Sequence, residues 1–212
     1  MALLPNTVSL LRMIVTLSLE EAAQALGAFS GNALTVSHAN VRAAELEEIM
    51  CLVPQAEEPI FGAHFALSGA IDGSILALFH WRDSQLLLET VLGGCSERFD
   101  ALDPMELSVL AEASNILVSA FLCQLEQQCN VEITLHPPAV AVEMASAVVS
   151  AAVMPIVEAE GELLLIDALL TPRRTCGQAA ACHLFFLPTQ STWTPLLGPF
   201  PTHRTMAAVG RG

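Results

Sequence analysis

Sliding the chain against itself by 99 residues brings two similar units into register, and this offset constrains the fold more than any other feature. Pro5 falls on Pro104, Ser9 on Ser108, Leu11 on Leu110, Leu26 on Leu125, Thr35 on Thr134 and Val41 on Val140. Each unit opens with a long helical segment and passes into a short β-type run, 33–37 in the first and 131–135 in the second. The identities are few. Helix start, helix end and following strand nevertheless agree together, as expected of an internal duplication. The pattern predicts an α/β (α+β) domain with pseudo-two-fold symmetry, residues 1–99 forming one repeat and 100–190 the other. From Pro188 onward the chain is rich in Pro, Thr and Gly, so 191–212 reads as an irregular tail.

Local signals sharpen the elements. The first helix should run from about Asn6 to Phe29 and stop at Gly31. The second is better marked: Asp103-Pro104-Met105-Glu106 supplies an N-cap, a proline at the first helical position and a capping-box glutamate. It should continue to about Cys129 and end at Asn130. Segments 64–67 and 74–79 flank Ser68-Gly-Ala-Ile-Asp-Gly73, which reads as a hairpin. Asp83 is expected to cap a short helix ending at Gly93-Gly94. In the second half, 147–154, 162–169 and 182–187 read as strands; runs apolar on both sides, such as 163–166 and 184–187, suggest burial between layers.

Composition narrows the possible partners. Hydrophobic residues make up 53% of the chain, which raises the question of a membrane span. The apolar stretch Met144–Val157 falls short of the roughly 20 residues a crossing needs and contains Pro155 and two serines. The N-terminus lacks a basic region and a small-residue cleavage site, so no secretory leader and a cytoplasmic location are expected. A net charge of −14, with only 8 Lys and Arg, argues against nucleic acid. Cys51, Cys95, Cys123, Cys129, Cys176 and Cys182 form no CxxC pair and read as reduced, small apolar residues. His38, His64, His80, His136, His183 and His203 show no ligand spacing, and none is assigned a role.

The second helix carries the chemistry. It is apolar around most of its circumference, as a buried helix is. Its polar exceptions before the last turns are Ser108, Glu112, Ser114, Asn115 and Ser119. At about 100° per residue, positions 108, 112, 115 and 119 share a narrow sector. Glu112 and Asn115 should therefore project together. The plain explanation is a solvated helix edge, since neither residue is a nucleophile or part of a metal cluster. Helix propensity does not account for the asparagine.

At these residues the sequence resembles the CheC/CheX/FliY family of chemotaxis phosphatases, and CheC most of all. The family signature is Asp or Ser, three residues, Glu, two residues, Asn, twenty-two residues, Pro; Ser108, Glu112, Asn115 and Pro138 meet every spacing. Segments 110–116 and 136–138, the 69–74 hairpin and the ending 184–188 are similar to family segments, so the resemblance spans nearly the whole chain. It implies two long helices presenting the site from one side of a β-sheet. It also implies hydrolysis of the aspartyl phosphate on a CheY-type receiver domain. Glu112 would pair with the receiver's Lys and Asn115 would orient the attacking water. The protein would hold no cofactor of its own, the Mg²⁺ being the receiver's.

CheC proteins often carry the signature twice. Here the first copy would fall at Ser9, Met13, Thr16 and Ala39, where Glu, Asn and Pro are all missing, so the first site is expected to be inactive. Ser114 stands where the family commonly has Gly; a small residue should still allow a partner's close approach. The alternative implied by the same resemblance is a non-catalytic adaptor that binds a receiver, the deamidase CheD or flagellar switch components. Binding to CheD is also compatible with catalysis.

Overall fold

The computed structural model describes residues 5–31, 34–44, 59–93, 102–157, 163–172, 179–189 and 191–192. Helix α1 (Pro5–Phe29) leads into β1 (Leu34–Ala44), followed by β2 (Pro59–Gly69), β3 (Gly73–His80) and α2 (Trp81–Leu92). The second half runs α3 (Pro104–Cys129), β4 (Ile133–Leu135), β5 (Ala139–Met144), α4 (Ala145–Val157), β6 (Leu163–Pro172) and β7 (Ala180–Pro188). Of the tail expected over 191–212, only Ser191 and Thr192 lie within the described residues.

The strands form one antiparallel sheet in the order β1–β6–β7–β3–β2–β4, with β5 also on β2. Exchanging β1 with β4 and β5, β2 with β6, and β3 with β7 reverses this order onto itself. The pseudo-dyad therefore passes between β3 and β7. The two edges also share an irregularity. Register shifts between Val36 and His38 on β1, so Ser37 is an extra residue there. On the other edge Leu135 pairs with Leu67 and Ala139 with His64, so His136, Pro137 and Pro138 stand opposite only Phe65 and Ala66. Each is a β-bulge, and position 37 moved by 99 is position 136. In the first repeat the strand continues through its bulge. In the second, two prolines lack the N–H a ladder needs, and the strand breaks into β4 and β5.

Helices α1, α2 and α3 cover one face of the sheet. Leu11, Ile14 and Leu26 of α1, Leu87 and Leu88 of α2, and Leu110, Val118 and Phe121 of α3 join Phe61, Phe65, Phe79 and Phe186 in the main core. The rings of Phe121 and Phe186 meet edge to face, centroids 5.3 Å apart, and fix α3 on β7. The other face carries a second core in which Val148, Val149 and Ala152 of α4 pack with Ile60, Leu76, Leu165, Phe185 and Leu187. Strands β6 and β7 lie between these layers, so Leu184 and Phe186 face one core while Phe185 and Leu187 face the other. That accounts for their unbroken apolar runs.

Two local expectations are corrected. The segment 147–154 is part of α4, not a strand. Its alanines favour helix, and Ala145, Val148, Val149 and Ala152 are buried at the i, i+3, i+4, i+7 spacing of a helix face. Gly62 lets α4 lie close on β2, since a Cβ there would come 2.5 Å from Val148 Cγ1. Asp83 does not cap α2: the N-cap is His80, and the Asp83 carboxylate accepts from the Ala181 N–H at 3.0 Å, tying the helix to β7. The helix ends, as expected, at Gly93 with φ 76°.

The start of α3 is built as its sequence predicts. The Asp103 carboxylate accepts from the N–H groups of Met105 and Glu106 at 2.7 and 2.9 Å, and Glu106 Oε2 accepts from the Asp103 N–H at 2.8 Å. Asn130, left-handed at φ 54°, closes the helix with its N–H on the Glu126 carbonyl. Asp103→Ala should cost about 1 kcal/mol, read as a lower urea midpoint with an unchanged slope. An unchanged midpoint would mean that tertiary packing alone holds this helix start.

Candidate functional site

Packing decides which face of α3 is free. Val109, Leu110, Ala113, Leu117, Val118, Phe121 and Leu125 are buried, while Ser108, Glu112 and Ser119 are exposed and Asn115 is half-buried. The polar line is thus the side that the sheet and α1 leave uncovered. Glu112 makes no hydrogen bond or ion pair among the described residues, and Asn115 has only a long contact, its Oδ1 3.5 Å from Ser119 Oγ. Ser114 does not point to this face. It is fully buried, and its hydroxyl donates to the Leu110 carbonyl at 2.8 Å. Its size therefore bears on internal packing and not on a partner's approach, a correction to the sequence reading.

The bulged edge supplies the opposite wall. Ser108, Ala111, Glu112 and Asn115 from α3 and Leu135, His136, Pro137 and Pro138 from the β4–β5 connection line one open cleft. The structure brings all four signature residues, Ser108, Glu112, Asn115 and Pro138, to this place. The chain reverses between them through Asn130, and β4 then runs antiparallel to β2 with Ile133, Thr134 and Leu135 opposite Gly69, Ser68 and Leu67. The bulge then turns the prolines toward the helix. The cleft so offers one carboxylate, one carboxamide and one serine hydroxyl, and no cysteine lines it.

His136 borders the cleft, but its ring turns to the other face of the sheet, its Nε2 2.9 Å from the Oγ of Ser68, which alternates with the core-facing Leu67 on β2.

The related positions on α1 look different. Ser9, Met13 and Thr16 are exposed along one line, so the face is retained. Met13 is 43% exposed and carries no charge, and the Thr16 hydroxyl donates back to the Arg12 carbonyl at 2.9 Å. Ala39 pairs with Ala168 in an unbroken stretch of β1. The α1 line therefore presents neither the carboxylate nor the carboxamide of its twin.

The remaining polar groups fall outside the cleft. His183 Nδ1 lies 2.7 Å from Asp167 Oδ1, with the His80 ring edge-on to His183 at 5.4 Å. Among the described residues no group of three His, Cys, Asp or Glu is placed to hold a metal ion. Burial raises the thiol pKa values of Cys123, Cys129 and Cys182, most strongly for Cys182, which keeps these thiols protonated and apolar in character. By length and composition α3 is apolar enough to cross a membrane, with a mean hydropathy of 1.4. Its apolar side chains are packed on the sheet and α1, as core residues are.

No family model matches the chain. Solved structures do. FliY from Thermotoga maritima superposes with a TM-score of 0.64, over 99% of this chain and 98% of its own, at 15% identity. The chain has the CheC/FliY-like fold. The FliM middle domain from Vibrio alginolyticus matches with a TM-score of 0.63, over 84% of this chain and 93% of its own, at 14% identity. That from H. pylori gives 0.61, over 91% and 97%, at 9% identity. At these identities the likeness is one of fold. Within the CheC/FliY-like fold, α1 and α3 are the two dyad-related long helices on one side of the sheet, as the sequence resemblance implied.

Proposed function

We propose that this chain accelerates hydrolysis of the aspartyl phosphate on a CheY-type receiver domain, working in the cytoplasm. The observation that carries the proposal is the convergence of Ser108, Glu112, Asn115 and Pro138 on one open cleft from two separate parts of the chain. Such hydrolysis asks little covalent chemistry of the enzyme; positioning and charge stabilisation do most of the work. The receiver brings the phosphoryl group, the Mg²⁺ and a lysine. Glu112, exposed and without an ion-pair partner among the described residues, is free to take that lysine and so dock α3.

Asn115 lies one helical turn further, on the same line. Its carboxamide has both a donor and an acceptor, so it can hold a water in line with the phosphorus while steadying a phosphoryl oxygen. The asparagine need not act as a base. The cleft opens on the uncovered side of α3, so a receiver surface can reach Glu112 and Asn115 there. The α1 line lacks both groups, which confines turnover to α3.

The test follows phosphate. Receivers from the same cell, charged with radiolabelled phosphate, are left alone or mixed with the pure protein. The proposal expects faster label loss from at least one CheY-type receiver. Binding of a receiver with no change in its decay would favour the adaptor reading instead. That second reading has one observation behind it: structures with TM-scores above 0.6 include two FliM middle domains and a FliG–FliM complex, the last at 0.63. Pull-down with CheD, FliG or intact switch complexes would score it independently of catalysis.

A further inference from the structure

Asn115 is bracketed on its own helix face by an acceptor and a donor. Glu112 lies three residues before it and Ser119 four residues after, both exposed and on the same line. A carboxamide so placed can close on the glutamate through Nδ2, which would keep both groups from a partner. The structure shows the other arrangement. Among the described residues Glu112 accepts no bond from Asn115, whose Oδ1 is turned to Ser119 Oγ, 3.5 Å away. The amide oxygen stays clear of the carboxylate, and Nδ2 makes no hydrogen bond within the described residues.

Ser119 also differs from other helical hydroxyls of this chain. A serine or threonine inside a helix commonly donates to the carbonyl four residues back. Thr16 does so to Arg12 at 2.9 Å, Ser18 to Ile14 at 2.6 Å, Thr90 to Leu86 at 2.8 Å and Ser114 to Leu110 at 2.8 Å. Ser119 turns its hydroxyl to a side chain instead, the one proposed to hold the attacking water. No packing asks for this, since Ser119 is exposed and belongs to neither core. It lies one turn beyond the residues that line the cleft. The equivalent position on α1 is Glu20, so the hydroxyl is absent from the repeat that lacks the asparagine.

We propose that Ser119 is a positioning residue for Asn115, donating a hydrogen bond to Oδ1 that orients the carboxamide for turnover. The inference rests on the phosphatase reading and names a residue that the signature does not contain. At 3.5 Å the contact is longer than a full O–H···O bond of about 2.8 Å. Such bonds are often long in a free enzyme and tighten once substrate is in place. Held by Ser119, Oδ1 keeps one lone pair for the attacking water, and both Nδ2 protons stay available to the water and a phosphoryl oxygen. The terminal torsion of asparagine is broad, so without this anchor the carboxamide can present oxygen where nitrogen is needed. Once the receiver's lysine occupies Glu112, Ser119 is the group on the helix that decides which way the carboxamide faces. It touches neither lysine nor phosphate, so it acts on rate and not on binding.

The test compares Ser119→Ala, Ser119→Thr and the unmodified protein on a receiver that the unmodified protein dephosphorylates. Ser119→Ala should lower kcat about fivefold, the effect of losing one neutral hydrogen bond, with KM within about twofold. Its affinity for the receiver loaded with beryllofluoride and Mg²⁺ should equal that of the unmodified protein. Ser119→Thr keeps the hydroxyl, but Oγ1 can also turn to the backbone carbonyl, so it should recover part of the rate. Thermal melts should match in all three, because the side chain is exposed.

An unchanged kcat in Ser119→Ala would overturn the assignment. So would a raised KM or weaker binding at constant kcat, which would make Ser119 a contact of the receiver. A threonine variant as slow as the alanine variant would also overturn it. Each of these results leaves the phosphatase reading standing, because the unmodified protein is active in the same assay. If the unmodified protein turns over no receiver, the phosphatase reading fails and the assignment of Ser119 falls with it.

Discussion

Asn115→Ala should reduce receiver dephosphorylation to the receiver's own rate while leaving the protein as stable as before. The side chain is half-buried on the uncovered line of α3, and its one intramolecular contact is the long one to Ser119. Little is therefore lost on folding, and alanine is the better helix former by a few tenths of a kcal/mol. The effect on rate is of another size. Removing a preorganised donor from a reacting centre commonly costs about 10²- to 10³-fold, enough to cancel the acceleration. Binding should survive, because Glu112, Pro138 and the cleft wall remain. Loss of activity with an unchanged melting curve and an unchanged affinity for unphosphorylated receiver would place Asn115 at the chemistry. Loss of binding would make it a docking residue.

Gly73→Ala should be the most damaging small substitution to the fold. Gly73 has φ 145°, and a Cβ there would press on the Leu187 carbonyl oxygen and come within 2.8 Å of Pro188 Cα. Both are backbone atoms of β7, paired with β3 across the pseudo-dyad. Relief requires moving one central strand against the other. Strained backbone and steric conflict together should cost about 3 kcal/mol or more, roughly 10 °C in melting temperature for a chain of this size. Gly93→Ala provides the control. It shares a positive φ, 76°, but nothing lies within 4 Å of its would-be Cβ. Only the left-handed backbone penalty applies there, about 1 kcal/mol. Equal losses at the two positions would show that backbone conformation, not the closeness of β7, makes Gly73 necessary.

How far the sequence foretold the molecule depended on whether a signal was local. Helix α3 was legible to the residue at both ends, because Asp103, Pro104 and Glu106 form its cap from adjacent positions and Asn130 terminates it. The β2–β3 hairpin was legible for the same reason. Helix α4 was not, since alanine and valine in a doubly apolar run satisfy both strand and helix patterns until one knows which sheet face covers them. Asp83 has the composition of a cap, but its carboxylate is taken by Ala181, 98 positions away.

The site divides in the same way. The line of Ser108, Glu112 and Asn115 follows from helical periodicity alone, and Pro138 was found through its spacing in the family signature. The role of Pro138 in the structure was hidden, because a bulge is a property of two paired strands. So was the placement of His136, whose N–H and ring are taken by Ala66 and Ser68 in β2. Side chains that work through non-local partners leave no pattern in one sequence.

The central claim, that α3 and the bulged edge form a single site that hydrolyses a receiver's aspartyl phosphate, comes down to one comparison. Radiolabelled, phosphorylated receiver is followed at saturating concentrations of the unmodified protein and of Asn115→Ala, with binding verified in the same samples. The account predicts rapid loss of label with the former and intrinsic decay with the latter, at equal occupancy. Equal decay rates in the two samples would contradict it.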